Sequence, residues 1–125
     1  MRKVSSDDRR TMYSVRLNPA VWRELNYVEA EPNQRMGGHY HKETVEFFQI
    51  LEGEVTVVLE DINTGESNTF VADKNDCFTV YPFVEHVLVT HGVVKWVSLL
   101  SKEYDVLEPD IHLVRTVLSE KPHVL

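Results

Sequence analysis

The stretch Gly38-His39-Tyr40-His41-Lys42-Glu43-Thr44-Val45-Glu46, continuing through Phe47-Phe48-Gln49-Ile50-Leu51 to Glu52-Gly53, decides how this chain is read. His39 and His41 stand one residue apart. On a strand their side chains share a face and Tyr40 points away. Glu46 lies five positions past His41, an odd offset that on one unbroken strand sends it to the opposite face. For Glu46 to join the histidines, Lys42-Glu43-Thr44 must turn, so that a second strand begins at Glu46 with its face reset. Imidazole nitrogens and carboxylate oxygens are the donors that divalent first-row metals accept. The stretch therefore predicts a metal site on a β-framework, one ligand short.

On the C-terminal side, Phe47 to Leu51 reads as a buried strand and Glu52-Gly53 as a two-residue hairpin turn. Glu54 to Glu60 is rich in β-branched residues and reads as the return strand. Val55, Val57 and Leu59 share one face and Thr56 and Val58 the other, so both faces are largely apolar. Turns follow at Asp61-Ile62-Asn63-Thr64-Gly65 and at 72–76, separated by an alternating strand from Glu66 to Val71. Cys77 to Val80 is a short strand stopped by Tyr81-Pro82. His86 to Thr90, a turn at His91-Gly92, and Val93 to Leu100 complete the strong pattern.

On the N-terminal side, residues 1–11 read as a flexible or partner-bound arm. Tyr13 to Leu17 alternates as a first strand closed by Asn18-Pro19. Residues 20–28 fit a helix capped by Asn18 or a strand, and a short turn followed by a strand is preferred. Residues 32–38 form a turn-rich loop that delivers the chain to His39. After Ser101 the pattern breaks into a tail punctuated by Pro109-Asp110 and Pro122, with Ile111, Leu113, Val114, Val117 and Leu118 available to pack on the barrel or a partner.

Short strands separated by turn signals about every ten residues predict an all-β fold, a small antiparallel barrel or sandwich. The 125 residues suffice for one domain with a real core, and there is no internal repeat. A net charge of -7 argues against a nucleic-acid partner. No apolar run approaches the roughly 18 residues a bilayer needs, and the polar N-terminus lacks a signal-type apolar segment. The single cysteine, Cys77, permits no internal disulfide and reads as an inert buried thiol. These features place the protein in the cytoplasm. The apolar second face of the 54–60 strand needs cover from a second sheet, the tail or a second subunit, and a homodimer is expected.

In such a barrel, strands distant in sequence become neighbours, so the missing ligand can come from His86, which opens a strand directly after a proline-containing loop. His39, His41, Glu46 and His86 then offer three imidazoles and a carboxylate, leaving one or two positions open on a five- or six-coordinate ion. This pattern resembles the cupin superfamily of small β-barrels, the jelly-roll or double-stranded β-helix. The family's first motif reads here His39-x-His41-x4-Glu46-x6-Gly53, and its second runs from Asn75-Asp76 through Pro82 to His86. The resemblance covers residues 35–100 and implies those four metal ligands. Asn75 replaces a usual glycine, Phe83 stands where glycine often sits, and Thr90 stands where the motif ends in asparagine. Asparagine tolerates the left-handed conformation of the glycine it replaces, and the departures at Phe83 and Thr90 bear on loop shape and pocket lining. Within the superfamily, Gly37 to Lys42 with Leu51-Glu52-Gly53-Glu54 is similar to small cupins of carbohydrate and polysaccharide biosynthesis.

Around the ligands, Arg35 and Lys42 are candidates for holding an anionic substrate group, and Phe48 is a candidate lining residue. Ile50, Val57, Phe78 and Leu88 are expected as core or lining. Tyr81 and Glu85, near the second-motif loop, are candidate acid or base groups. His91 should face outward, and His112 and His123 read as surface residues. Two functions follow. One is a metalloenzyme acting on a small molecule, a dioxygenase or a Lewis-acid isomerase or epimerase, using Fe, Mn, Ni, Co or Zn. The other is a binding or sensor module that captures a sugar or small acid without turnover.

Overall fold

The computed structural model describes residues 2–9, 11–14 and 22–114. Nine strands are formed among them: β1 (Arg2–Ser6), β2 (Thr11–Ser14), β3 (Glu24–Ala30), β4 (Arg35–Tyr40), β5 (Glu46–Asp61), β6 (Ser67–Ala72), β7 (Cys77–Val80), β8 (Val84–Leu100) and β9 (His112–Leu113). All pairings are antiparallel. The all-β jelly-roll expectation holds. Of residues 20–28, Trp22 and Arg23 are irregular and Glu24 onward is strand, as the preferred reading expected. The expected closure at Asn18-Pro19, the packing of Val117 and Leu118 and the placement of His123 lie outside the described residues.

Residues 2–6, expected within a flexible or partner-bound arm, form β1, which pairs with β2 in a two-stranded ribbon separate from the main sheet. Two expected turns are corrected, and the hairpin at Glu52-Gly53 does not form. β5 runs straight through both residues, and β8 runs through the expected turn at His91-Gly92. The long strands pair with each other from Glu46↔Leu100 to Asp61↔Val84, with irregularities between Ile50 and Glu54. Gly53 has φ 89°, and a Cβ there would sit 2.3 Å from the Val93 carbonyl oxygen. The glycine therefore serves a bulge where β5 crosses close to β8, rather than a two-residue turn.

This irregularity divides the sheet into two halves. The first half of β5 pairs with β7 and the second half of β8, which also carries β3. The second half of β5 pairs with β6 and the first half of β8, which also carries β4. Both halves feed one core: Ala30, Phe48, Ile50 and Trp96 come from one, and Val55, Val57, Ala72 and Leu88 from the other. Inward-facing alternation explains the list, since Val55 and Val57 are fully buried while Thr56 and Val58 are half-buried. Cys77 is half-buried rather than fully buried. No helix among the described residues is long and apolar enough to cross a membrane.

Candidate metal centre

The local backbone explains how His39 reaches His86. Gly37 and Gly38 both have positive φ, 86° and 84°. A Cβ at Gly37 would meet the His86 carbonyl oxygen at 2.4 Å, so only glycine lets β4 lie this close to β8. The register shifts between Gly37 and His39, which brings His39 opposite His86. Their ring centroids are 4.4 Å apart, and His41 stands 5.2 Å from His39 and 5.1 Å from His86. One ring nitrogen from each of the three lies within 4.8 Å of the others.

Glu46 joins them. The chain leaves strand geometry after Tyr40 and re-enters it at Glu46, as the parity argument requires. Glu46 Oε1 lies 3.2 Å from His41 Nε2 and 3.7 Å from His86 Nε2. Tyr40 points elsewhere, stacking on Phe83 with centroids 6.0 Å apart.

The second hydrogen bonds of the rings assign their protons. His41 Nδ1 is 2.6 Å from the Asp110 carbonyl oxygen, and His86 Nδ1 is 3.3 Å from that of Val84. A carbonyl only accepts, so both Nδ1 atoms donate and both Nε2 lone pairs face the Glu46 carboxylate. Lone pair against carboxylate is repulsive unless a proton or a cation lies between. The charge balance follows. Burial alone lowers the His41 pKa, but the Glu46 and Asp110 hydrogen bonds and the two carboxylate charges outweigh it and raise it above 6.5. His86 is pushed down to about 3, first by burial and then by the His39 and His41 charges, against the Val84 carbonyl. Metal–ligand bonds of about 2.0–2.2 Å set neighbouring donors roughly 3–4 Å apart, close to the spacing found here, so the donor set fits a divalent ion.

The cluster forms the polar end of a cavity of about 430 Å³. Phe48, Met36, Leu88 and Trp96 supply apolar wall, and Ser98 a buried hydroxyl. Phe48 thus lies where expected, stacked on Phe78 with centroids 4.9 Å apart. Tyr81 does not. It is 55% exposed and borders a separate hollow of about 270 Å³ with Asp61 and Glu66. Glu85 precedes His86 on β8 and so faces away from the cluster, and it is absent from the cavity wall. Arg35 and Lys42 are exposed and also stand outside the wall.

Sequence reading missed Asp110. Its carboxylate accepts from Lys42 N at 2.9 Å, Glu43 N at 2.9 Å, Thr44 N at 3.0 Å and Thr44 Oγ1 at 2.9 Å. It also pairs with His112 Nε2 at 3.0 Å, so His112 belongs to this network rather than to open surface. Burial would raise the Asp110 pKa, but the Lys42, Glu43 and Thr44 donors and His112 hold it well below the usual carboxylate range. The only signal was the Pro109-Asp110 punctuation, and nothing local told where its partners lie. Ser98 had a signal: it is polar at an inward-facing step of an apolar alternating strand. His91 is exposed as expected and bonds Thr56 Oγ1 at 2.7 Å.

The three departures from the motif also find their roles. Asn75 takes φ 76° and Phe83 takes φ 65°, so both occupy the left-handed region that the replaced glycines would enter freely. Thr90 is fully buried and closes the loop before β4, donating to the Glu31 carbonyl at 2.7 Å and accepting from Gln34 N at 2.8 Å.

A family model described as a cupin domain matches residues 26–100. The chain belongs to the cupin family. Its fold is similar to that of the capsular polysaccharide assembling protein CapF from Staphylococcus aureus, with TM-score 0.69 and 16% identity over 90% of this chain and 34% of that one. This cupin thus spans about a third of the length of CapF. A 3,4-ketoisomerase from Helicobacter canadensis gives TM-score 0.69 and 17% identity over 86% of this cupin and 82% of that chain. The QdtA 3,4-ketoisomerase from Thermoanaerobacterium thermosaccharolyticum, in complex with TDP, gives 0.67 and 22% over 84% and 78%. Among curated proteins no sequence matches it.

Proposed function

We propose that this cupin is a metal-dependent enzyme of the isomerase or epimerase class acting on a small, sugar-like carbonyl compound. The observation that carries the reading is the Glu46 carboxylate set against the Nε2 atoms of His41 and His86, whose Nδ1 protons are already committed to carbonyls. His39, His41, Glu46 and His86 would hold Fe, Mn, Ni, Co or Zn. Bound there, such an ion supplies a Lewis acid that polarises a carbonyl or an enediolate oxygen.

The chain's own contribution is placement and exclusion of water. Phe48, Leu88 and Trp96 desolvate one side of a ligand, and Ser98 offers it a hydroxyl. The cavity of about 430 Å³ matches a compact molecule. The two ketoisomerases of similar fold support a sugar-like substrate. One observation favours the second reading, a binding module without turnover. Outside the cluster, Tyr27, itself 52% exposed, is the only described titratable group on the wall.

Elemental analysis of freshly purified protein should find about one divalent ion per chain. Chelation should lower the melting temperature, and the same ion should restore it. A His39→Ala, Glu46→Ala double variant that still retains stoichiometric metal would remove the metal reading. With loaded protein, interconversion of keto-sugars supports the enzyme, and saturable binding without turnover supports the module. Iron with oxygen uptake would move the assignment to a dioxygenase.

A further inference from the structure

Asp110 lies 64 residues beyond Glu46 in the sequence, yet it touches the metal-motif segment at every step from His41 to Thr44. The two ends of this one residue do different things. Its main-chain carbonyl accepts from His41 Nδ1 at 2.6 Å, which leaves Nε2 as the lone-pair nitrogen aimed into the cluster. Its carboxylate gathers three consecutive main-chain N–H groups and the Thr44 hydroxyl, donors of a turn that has no strand ladder to join. Thr44 is 3% exposed and the Asp110 side chain 13%, so the two Thr44 bonds are partly shielded from water, while those from Lys42 N and Glu43 N lie at the exposed edge.

We propose that Asp110 is a positioning residue of the His–Glu centre: by clamping Lys42 to Thr44 and orienting His41, it sets the distance between His41 and Glu46 on which ion binding depends. This rests on the metal reading above. The turn is the element that resets strand parity between His41 and Glu46, so its conformation directly fixes how those two donors face each other. The segment carrying Asp110 is itself anchored by β9, through the pairs His39↔Leu113 and Tyr40↔His112. Docking of this tail and completion of the site are therefore one event. Outer hydrogen-bond partners of this kind change metal affinity by roughly 10–100-fold when removed. Lys102, which ion-pairs with Glu43 on the same turn, is exposed and supplies a control on the loop that does not reach the clamp.

The test uses the full chain and two variants, Asp110→Asn and the milder Thr44→Val, with Lys102→Met as control. Asn keeps the volume but presents an amide N–H₂ to donors. Co(II) titration should give a dissociation constant raised roughly tenfold or more for Asp110→Asn, with an altered visible absorption band, and a smaller rise for Thr44→Val. Lys102→Met should match the parent. The second readout needs no metal. At a pH high enough for His41 to be neutral, imidazole ¹⁵N chemical shifts should report it protonated at Nδ1 in the parent and shifted toward mixed tautomers in Asp110→Asn. Affinity and band unchanged within twofold, together with an unchanged tautomer, would overturn the proposal even if thermal stability fell. If the parent binds no Co(II) while the tautomer still shifts, positioning by Asp110 stands and the metal reading fails.

Discussion

The two segments that deliver the histidines are held by opposite means. The first, Lys42 to Val45, borrows its partners from far away: Asp110 for three amides and Ser101 Oγ for Val45 N at 2.8 Å. The second, Tyr81 to Val84, closes on itself, with Val84 N donating to the Tyr81 carbonyl at 3.3 Å and Phe83 in a left-handed conformation. Its outside help is two main-chain bonds, Phe83 N to the His41 carbonyl at 2.7 Å and Ile62 N to the Phe83 carbonyl at 3.0 Å. One segment depends on a charged side chain and the other on backbone strain offset by stacking. The difference teaches that two loops flanking one side-chain cluster can have very different sensitivities to mutation and to pH.

The largest effect should come from breaking the first support. Asp110→Ala leaves the two partly buried Thr44 donors unmet and the Lys42 and Glu43 amides to water, and should cost about 2 kcal/mol, read from denaturant or thermal unfolding. A loss under about 1 kcal/mol would mean that water replaces the clamp without penalty.

Acid should sharpen the contrast. The Asp110 pKa is depressed, so its contribution is complete above the unfolded carboxylate value near 4 and is lost as pH falls through the lower folded value. His86, held at about 3, refuses a proton that the unfolded chain accepts near 6.5, so metal-free stability should already decline from about pH 6.5 downward. His41 opposes this: its pKa is raised, so its contribution is complete below about 6.5 and fades as pH rises through the folded value. Melting temperatures of the metal-free protein across pH 3–7 should therefore fall on the acid side. The steepest loss, below about pH 4, should disappear in Asp110→Asn. An unchanged acid limb in that variant would assign the loss to other carboxylates.

The smallest effect should come from the second loop. Phe83→Gly relieves a left-handed conformation costing about 1–2 kcal/mol, but gives up the Tyr40 stack, about 0.5–1.5 kcal/mol, and adds chain entropy to the unfolded state. The net change should stay within about 1 kcal/mol by equilibrium unfolding. A loss near that of Asp110→Ala would show that stacking, rather than strain, governs this turn.

Legibility follows the range of the interactions. The four donors and the parity break before Glu46 could be read because period-two alternation is local and donor chemistry belongs to residue type. Gly53 was noticed but misread. A glycine with positive φ serves a hairpin and a bulge equally well, and only the crossing of β5 over the Val93 carbonyl distinguishes them. Tyr81 and Glu85 were offered as acid or base groups for their nearness to the second-motif loop, but Glu85 adjoins His86 on β8 and so faces the other way, and Tyr81 lies between β7 and β8 beside a separate hollow. His112 was taken for surface because its partner Asp110 had no visible role.

By itself, then, the chain determined the strand class, the family and which side chains form the centre, since these rest on local periodicity and on motif spacing. Tertiary structure alone decided that β5 and β8 run unbroken past their glycines, that Asp110 returns to hold the first turn, and which candidate acid and base groups face away. Those outcomes depend on the close approach of chain segments far apart in sequence, and hydrogen-bond satisfaction at such distances leaves no pattern in neighbouring residues.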